Sequence, residues 1–315
     1  MKHQIALLTV ILSMLVSGVC LAGITGEWLL ESDFNGNTFQ SILSITKNAE
    51  EKLEGYMINN FAMTELQDIK FEDNKLTFKQ QMRGMNGESE STFSGTVEDD
   101  KLTGALSGEM GEFPMSGKKM PAQAPVGKWK FTREMQGQEI VTTLAVTANE
   151  EGKLSATMTG PRGENEMSDV AFKDGKLTFK RVLDFNGQTV ELNYQFALEG
   201  GKLKGAVSTQ RGEFEMEGVF DGPAIVGKWI LTTSSDFGES MQLLMIYQDM
   251  SARYGTNKIK KIDYDADANT ISFKYTMSFG GQSFDNSFSG KVEGEKLTGE
   301  VTNDYGETQV TGKKM

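Results

Sequence analysis

Gly-x-Trp occurs three times in this chain, as Gly26-Glu27-Trp28, Gly127-Lys128-Trp129 and Gly227-Lys228-Trp229, with the tryptophans 101 and 100 residues apart. Other landmarks keep the same step. Lys75-Leu76-Thr77-Phe78-Lys79 is matched by Lys176-Leu177-Thr178-Phe179-Lys180, and Ile271-Ser272-Phe273-Lys274 fills that slot in the third copy. Lys101-Leu102-Thr103-Gly104 is answered by Lys202-Leu203-Lys204-Gly205 and Lys296-Leu297-Thr298-Gly299. A period of about 100 residues is domain sized, whereas solenoid units of roughly 20 to 50 residues cannot bury their own apolar face. The expectation is three copies of one fold, at 23–122, 123–222 and 223–315, behind a leader at 1–22. Pro121, Pro125 and Pro223 fall between copies and mark short, stiffened linkers.

The leader has a basic start at Lys2, an apolar run from Ile5 to Val16 and small or neutral residues towards Ala22. That is the anatomy of a secretory signal peptide, so the chain is expected to be exported, to the periplasm or beyond. Cys20 offers a rival reading as a lipid-anchored cysteine. Val19 before it and a strand pattern beginning already at Gly26 weigh against that reading. No later stretch approaches the roughly 20 apolar residues of a membrane-spanning helix.

Composition removes whole classes of chemistry. The single His (His3) and the single Cys (Cys20) both lie in the leader. Catalytic triads, thiolate nucleophiles, His- or Cys-ligated haem and zinc sites built on those residues have no raw material in the mature chain. A non-enzyme without cofactor is expected, and only chemistry based on carboxylates, Lys, Tyr or Ser stays open. Lys2 is the only charge in the leader, so its loss takes the net charge from −12 to −13. Such a surface repels nucleic acid phosphates and other copies of itself, which predicts a monomer.

Within the second copy apolar and polar residues alternate, as in Trp129 and Phe131, Leu177 and Phe179, and Leu192, Tyr194 and Phe196. Period two means strands. The runs are separated by turn signals, among them Asp174-Gly175, Asn186-Gly187 and Gly200-Gly201. The pattern predicts eight strands, at 127–134, 139–148, 153–159, 167–173, 176–184, 188–198, 202–209 and 213–220. An all-β chain of three tandem antiparallel up-and-down barrels follows, since closure leaves no free edge. A β-sandwich in each copy is the alternative.

A Gly-x-Trp that opens the first strand of such a meander resembles the lipocalin and avidin group of barrels. The resemblance covers all three copies and gives Trp28, Trp129 and Trp229 a structural role, each closing one barrel end beside a basic residue of the last strand. Lys119 and Lys314 stand in that position, and the second copy departs from it with Phe220. The copies are also similar to small barrel domains appended to bacterial secreted hydrolases. The resemblance implies a lumen that holds a small, apolar ligand. Inward parity then singles out Gln80, Ser91, Arg181, Tyr194, Tyr275 and Asn286 as lumen candidates, with Arg181 able to clamp a carboxylate or to reach out of the barrel mouth. Inward glycines such as Gly95, Gly104, Gly290 and Gly299 predict roomier first and third lumens. The aromatic second lumen instead reads as filled, which favours a structural or interaction role with an envelope or secreted protein as partner.

Asp263, Asp265 and Asp267 alternate like calcium ligands. The match fails where Ala268 replaces the expected Gly and Lys274 the expected acid. The 18 methionines read as core filling rather than as a soft-metal site.

Overall fold

The computed structural model describes residues 23–315 except 35, 85–86, 110, 136, 162, 186–187, 211, 236–237 and 280–281. The leader and Cys20 lie outside the described residues. The elements are all strands. The first unit comprises β1 (Gly26–Phe34), β2 (Asn37–Lys47), β3 (Leu53–Ile58), β4 (Met63–Glu72), β5 (Lys75–Gly84), β6 (Gly87–Glu98), β7 (Lys101–Gly108) and β8 (Gly111–Lys119). The second comprises β9 (Gly127–Met135), β10 (Gln138–Ala148), β11 (Leu154–Gly160), β12 (Gly163–Glu166), β13 (Ser168–Lys173), β14 (Lys176–Phe185), β15 (Gln188–Glu199), β16 (Lys202–Thr209) and β17 (Gly212–Phe220). The third comprises β18 (Gly227–Ser235), β19 (Gly238–Ile246), β20 (Ala252–Tyr254), β21 (Asn257–Ile259), β22 (Asp263–Asp265), β23 (Thr270–Phe279), β24 (Gln282–Glu293), β25 (Lys296–Asn303) and β26 (Gly306–Lys314).

Each unit is one antiparallel meander whose first and last strands pair, so neither end of the meander is left as an edge. Tight turns drive this. Asp73-Asn74, Asp99-Asp100, Asp174-Gly175 and Gly200-Gly201 each hold two successive residues at positive φ, the mirror-type hairpin whose twist matches the flanking strands. Longer connections use asparagine. Oδ1 of Asn149 accepts from the amides of Glu151 and Lys153 at 3.1 and 2.8 Å, and Asn48 does the same for Glu50 and Lys52.

Closure differs from the expectation of three complete barrels. The first unit is a closed eight-stranded barrel, whereas the second and third are nine-stranded sheets that wrap round but stay open at one seam. The seam falls on the counterpart of β4. In the first unit that strand carries a register shift between Gln67 and Lys70, with Asp68 at φ 52°, yet pairs with both neighbours. In the second, Asp169 has the same φ of 52°, and the strand breaks at Met167 into β12, paired with β11, and β13, paired with β14. The third breaks between Ile259 and Asp263. One extra residue in a strand bends it away from its partner, and here the bend goes as far as separating the two halves.

The first and third units meet directly. Ile42, Ile58 and Met63 of the first pack with Leu243 and Met245 of the third on the outside of both sheets. Nε2 of Gln242 donates to the Asn59 carbonyl at 2.8 Å, and Oγ of Ser240 to that of Phe61 at 3.0 Å. This is why 42–45 of β2 and 242–246 of β19 are buried without alternation, while β10 keeps its outward residues partly exposed. Both faces of β2 and β19 are covered, one by their own lumen and the other by a neighbouring unit.

Candidate functional site

The inward faces build three equivalent stacks of side chains. At the end where the first strand begins, Trp28, Trp129 and Trp229 are fully buried. Each indole Nε1 donates to a carbonyl four residues back, Ile24, Pro125 and Ile225, at 2.9, 2.9 and 2.7 Å, so no buried donor is left open. Lys119 and Lys314 hold their Nζ 5.6 Å from the indole centroids of Trp28 and Trp229. Lys119 Nζ also donates to the Gly23 carbonyl at 3.1 Å and Lys314 Nζ to that of Ala224. Burial lowers the pKa of Lys314. In the second unit Phe220 takes the lysine's place, edge-on to Trp129 at 5.3 Å.

One layer further in, each unit carries a cross-strand aromatic pair. Phe78 and Phe93, Phe179 and Tyr194, and Phe273 and Phe288 stand opposite each other in register, stacked at 4.7, 4.7 and 4.8 Å. These rings account for the inward glycines. A Cβ on Gly95 would sit 2.7 Å from the Phe93 ring, and one on Gly290 3.0 Å from the Phe288 ring. The glycines therefore accept a ring laid over the backbone, and the roomier first and third lumens expected from them are already occupied at those positions.

The lumen candidates form the next layer towards the opposite mouth. Gln80 pairs with Ser91, Arg181 with Leu192 and Tyr275 with Asn286 at equivalent register positions, and Tyr194 belongs to the aromatic layer. Gln80, Ser91, Tyr194, Tyr275 and Asn286 are buried, and Arg181 is partly so. The third unit satisfies its layer internally. Asn286 Nδ2 donates to the Phe284 carbonyl at 3.0 Å and its Oδ1 accepts from Asn303 at 3.0 Å, while the Tyr275 ring lies 4.7 Å from that of Tyr254. Burial, then the neighbouring Tyr254, pushes the Tyr275 phenol far above its ordinary range. In the first unit Gly108 leaves space that Ser91 fills, since a Cβ there would meet Ser91 Oγ at 2.7 Å. The second unit differs. The Arg181 guanidinium lies close enough to Tyr194 to oppose the rise in its pKa, and the buried Nε of Arg181 has no hydrogen-bond partner. Burial raises the Tyr194 pKa and outweighs the opposing pull of Arg181 and Arg133.

Two hollows lie away from these layers. One of about 890 Å³ is lined mostly by outward residues of the third unit, among them Asp263, Asp265, Ser272, Lys291 and Glu300. Another of about 370 Å³ lies by Glu191, Asn193 and Ser208 on the second. Neither is lined by any of the six lumen candidates. Asp263, Asp265 and Asp267 are exposed, and Oδ1 of Asp265 caps its own turn by accepting from the amides of Asp267 and Ala268 at 2.9 and 3.0 Å. Among the described residues no three His, Cys, Asp or Glu are grouped to hold a metal ion. No described helix is long and apolar enough to cross a membrane.

No protein-family model matches the chain, and no curated protein matches it in sequence. Among solved structures it is similar to a proposed outer membrane protein of Bacteroides fragilis, at 11% identity over 93% of this chain and 98% of that one, with a TM-score of 0.25. Transferrin binding protein B of Haemophilus parasuis, in a doubly substituted form, gives 12% identity over 92% of this chain and 74% of that one, with a TM-score of 0.22. A porin-like protein of Bacteroides uniformis gives 13% over 89% and 98%, with a TM-score of 0.14.

Proposed function

We propose that this chain is an exported, non-enzymatic interaction module of the cell envelope, whose barrels are scaffolds filled by their own side chains. The carrying observation is the stacked aromatic pair laid over inward glycines in the first and third units, with a matching pair in the second. Space of that kind is where a lipocalin-like carrier would hold an apolar ligand, and here it holds phenyl and phenol rings. Recognition then falls to the barrel ends and outer faces, where rigid scaffolds usually carry function. Lack of His and Cys beyond the leader supports the non-enzymatic reading. Native mass spectrometry of residues 23–315, purified from a bacterial periplasm without detergent, tests it. The bare polypeptide mass is expected. A reproducible additional mass, lost on denaturation, would make the chain a carrier instead.

One observation favours a second reading for the second unit alone. The partnerless Nε of Arg181, with the Tyr194 hydroxyl beside it, is a place for a small carboxylate or other anion at the barrel mouth. Under that reading the additional mass is acidic and disappears in Arg181→Gln.

A further inference from the structure

The joint between the first and third units has the form of a two-fold interface, with equivalent positions meeting each other. Glu27 and Lys228 occupy the middle of the same Gly-x-Trp motif in their respective copies, and they pair across the joint at 3.1 Å. The β3–β4 and β20–β21 hairpins are counterparts too, and they meet through a side-chain hydrogen bond between Thr256 and Asn60. In the apolar cluster Ile42 and Leu243 are counterparts, as are Leu29 and Ile230. On a two-fold axis a first unit facing another first unit would set Glu27 against Glu27. Two third units would oppose Lys228 to Lys228. The charges therefore select the mixed pair. The second unit is excluded differently, because it has Lys130, Thr143 and Thr159 where the first has Leu29, Ile42 and Ile58.

We propose that this joint also forms between molecules, the first unit of one chain receiving the third unit of a second copy in a reciprocally exchanged dimer. The two partners of the joint are remote in sequence and connected only through the second unit and its linkers. Nothing in the joint itself distinguishes a third unit of the same chain from that of another. Exchange buries the same surfaces twice, so the balance between closed monomer and dimer is set by chain concentration and by the effective concentration the second unit imposes. The joint lies on outer faces away from the lumens, and its test reads exchange of units between chains, so its failure is distinguishable from that of the function proposed above.

The mature chain lacks cysteine, which makes the test direct. Asn60→Cys in one chain and Thr256→Cys in another are mixed, refolded together at high concentration and oxidised. An interchain disulfide between positions 60 and 256, mapped by peptide mass spectrometry, is the expected product. The double variant in a single chain should link internally. If it does while the mixture gives only monomers or like-with-like links, the exchange proposal is overturned. A second measurement decides the case in which the cysteines perturb the hairpins. E27K and K228E each place like charges in the closed joint, but mixed together they restore opposite charges in both joints of an exchanged dimer. Native mass spectrometry should then show several-fold more mixed dimer than either variant gives alone. No more dimer in the mixture than in the separate samples also overturns it.

Discussion

At the scale of the residue, the buried tryptophans of all three units and the buried tyrosines of the second and third set the terms of stability. Trp129 is fully buried with its indole donor satisfied, so Trp129→Ala removes a large apolar surface and leaves the Pro125 carbonyl without its partner. A loss of about 3–5 kcal/mol is expected in denaturant melts, and a near-neutral result would mean that the ring does not close the core. Tyr194, Tyr254 and Tyr275 all have raised pKa values, with burial as the first cause. The folded state holds these phenols protonated, and their contribution is complete below about pH 10, where the unfolded chain also keeps them protonated. Above that pH the unfolded chain ionises first, so stability falls as pH rises. Denaturant midpoints between pH 8 and 11 should decline, less steeply in Tyr275→Phe, and part of the tyrosinate absorbance, beyond that of exposed phenols such as Tyr305, should appear together with unfolding. A midpoint independent of pH would show that these phenols ionise equally in both states. The inward positions of Trp129, Tyr194 and Tyr275 are legible from period two, whereas that of Tyr254, on the three-residue strand β20, is not. That Arg181 would reach Tyr194 and still leave Nε without a partner is not legible either, because parity gives a side chain's face and not its reach.

At the scale of the element, strands and turns were the most legible part. The expected strands of the second copy coincide with the observed ones to within a residue or so, apart from the stretch before 167, where Gly163–Glu166 forms an additional short strand. Alternation and tight-turn residues act locally, and so they can be read locally. The seam could not be found this way. Asp68 and Asp169 share a positive φ, yet the strand stays whole in the first unit and parts in the second, and that depends on pairing to both neighbours. The inward glycines mislead for a related reason. Glycine in a strand reads as empty space, whereas here it is the floor under a neighbouring ring. The Gly104 position shows how firm that floor is, with a Cβ there falling 2.4 Å from the Ser94 carbonyl and 2.8 Å from the Phe93 ring. Since the backbone atoms have no room to yield, Gly104→Ala is expected to cost about 1–3 kcal/mol by overpacking. Gly111→Ala is the comparison, since nothing lies within 4 Å of its added Cβ and only its φ of 114° opposes the change. Gly104 is not at positive φ, so a near-neutral Gly104→Ala in chemical denaturation would remove the overpacking from the account.

At the scale of the whole molecule, the joint between the first and third units turns three tandem copies into a docked pair and a connecting unit. Its signature is present in the sequence only when the copies are compared. Leu29, Lys130 and Ile230 are counterparts, as are Ile42, Thr143 and Leu243, and in both sets the second copy alone is polar. Reading strands from the second copy conceals the joint, because that copy shows the clean alternation of a face left in water. The docked pair should unfold as one cooperative block, since each unit covers apolar surface of the other, and the second unit should unfold separately. Calorimetry of residues 23–315 is then expected to show two transitions. Leu243 is 1% exposed and points out of its own lumen into the joint, so Leu243→Asp places a carboxylate among Ile42, Ile58 and Met245 while sparing the stacked core around Phe273. Even a neutral unpaired polar group in such surroundings costs roughly 2–7 kcal/mol, and an ionised carboxylate more, and the variant can relieve that cost by opening the joint. The block transition should split into two, at lower temperature, with the transition of the second unit unchanged. A thermogram that keeps its original two transitions after Leu243→Asp would mean that the contact does not couple the units, and that they unfold independently despite touching.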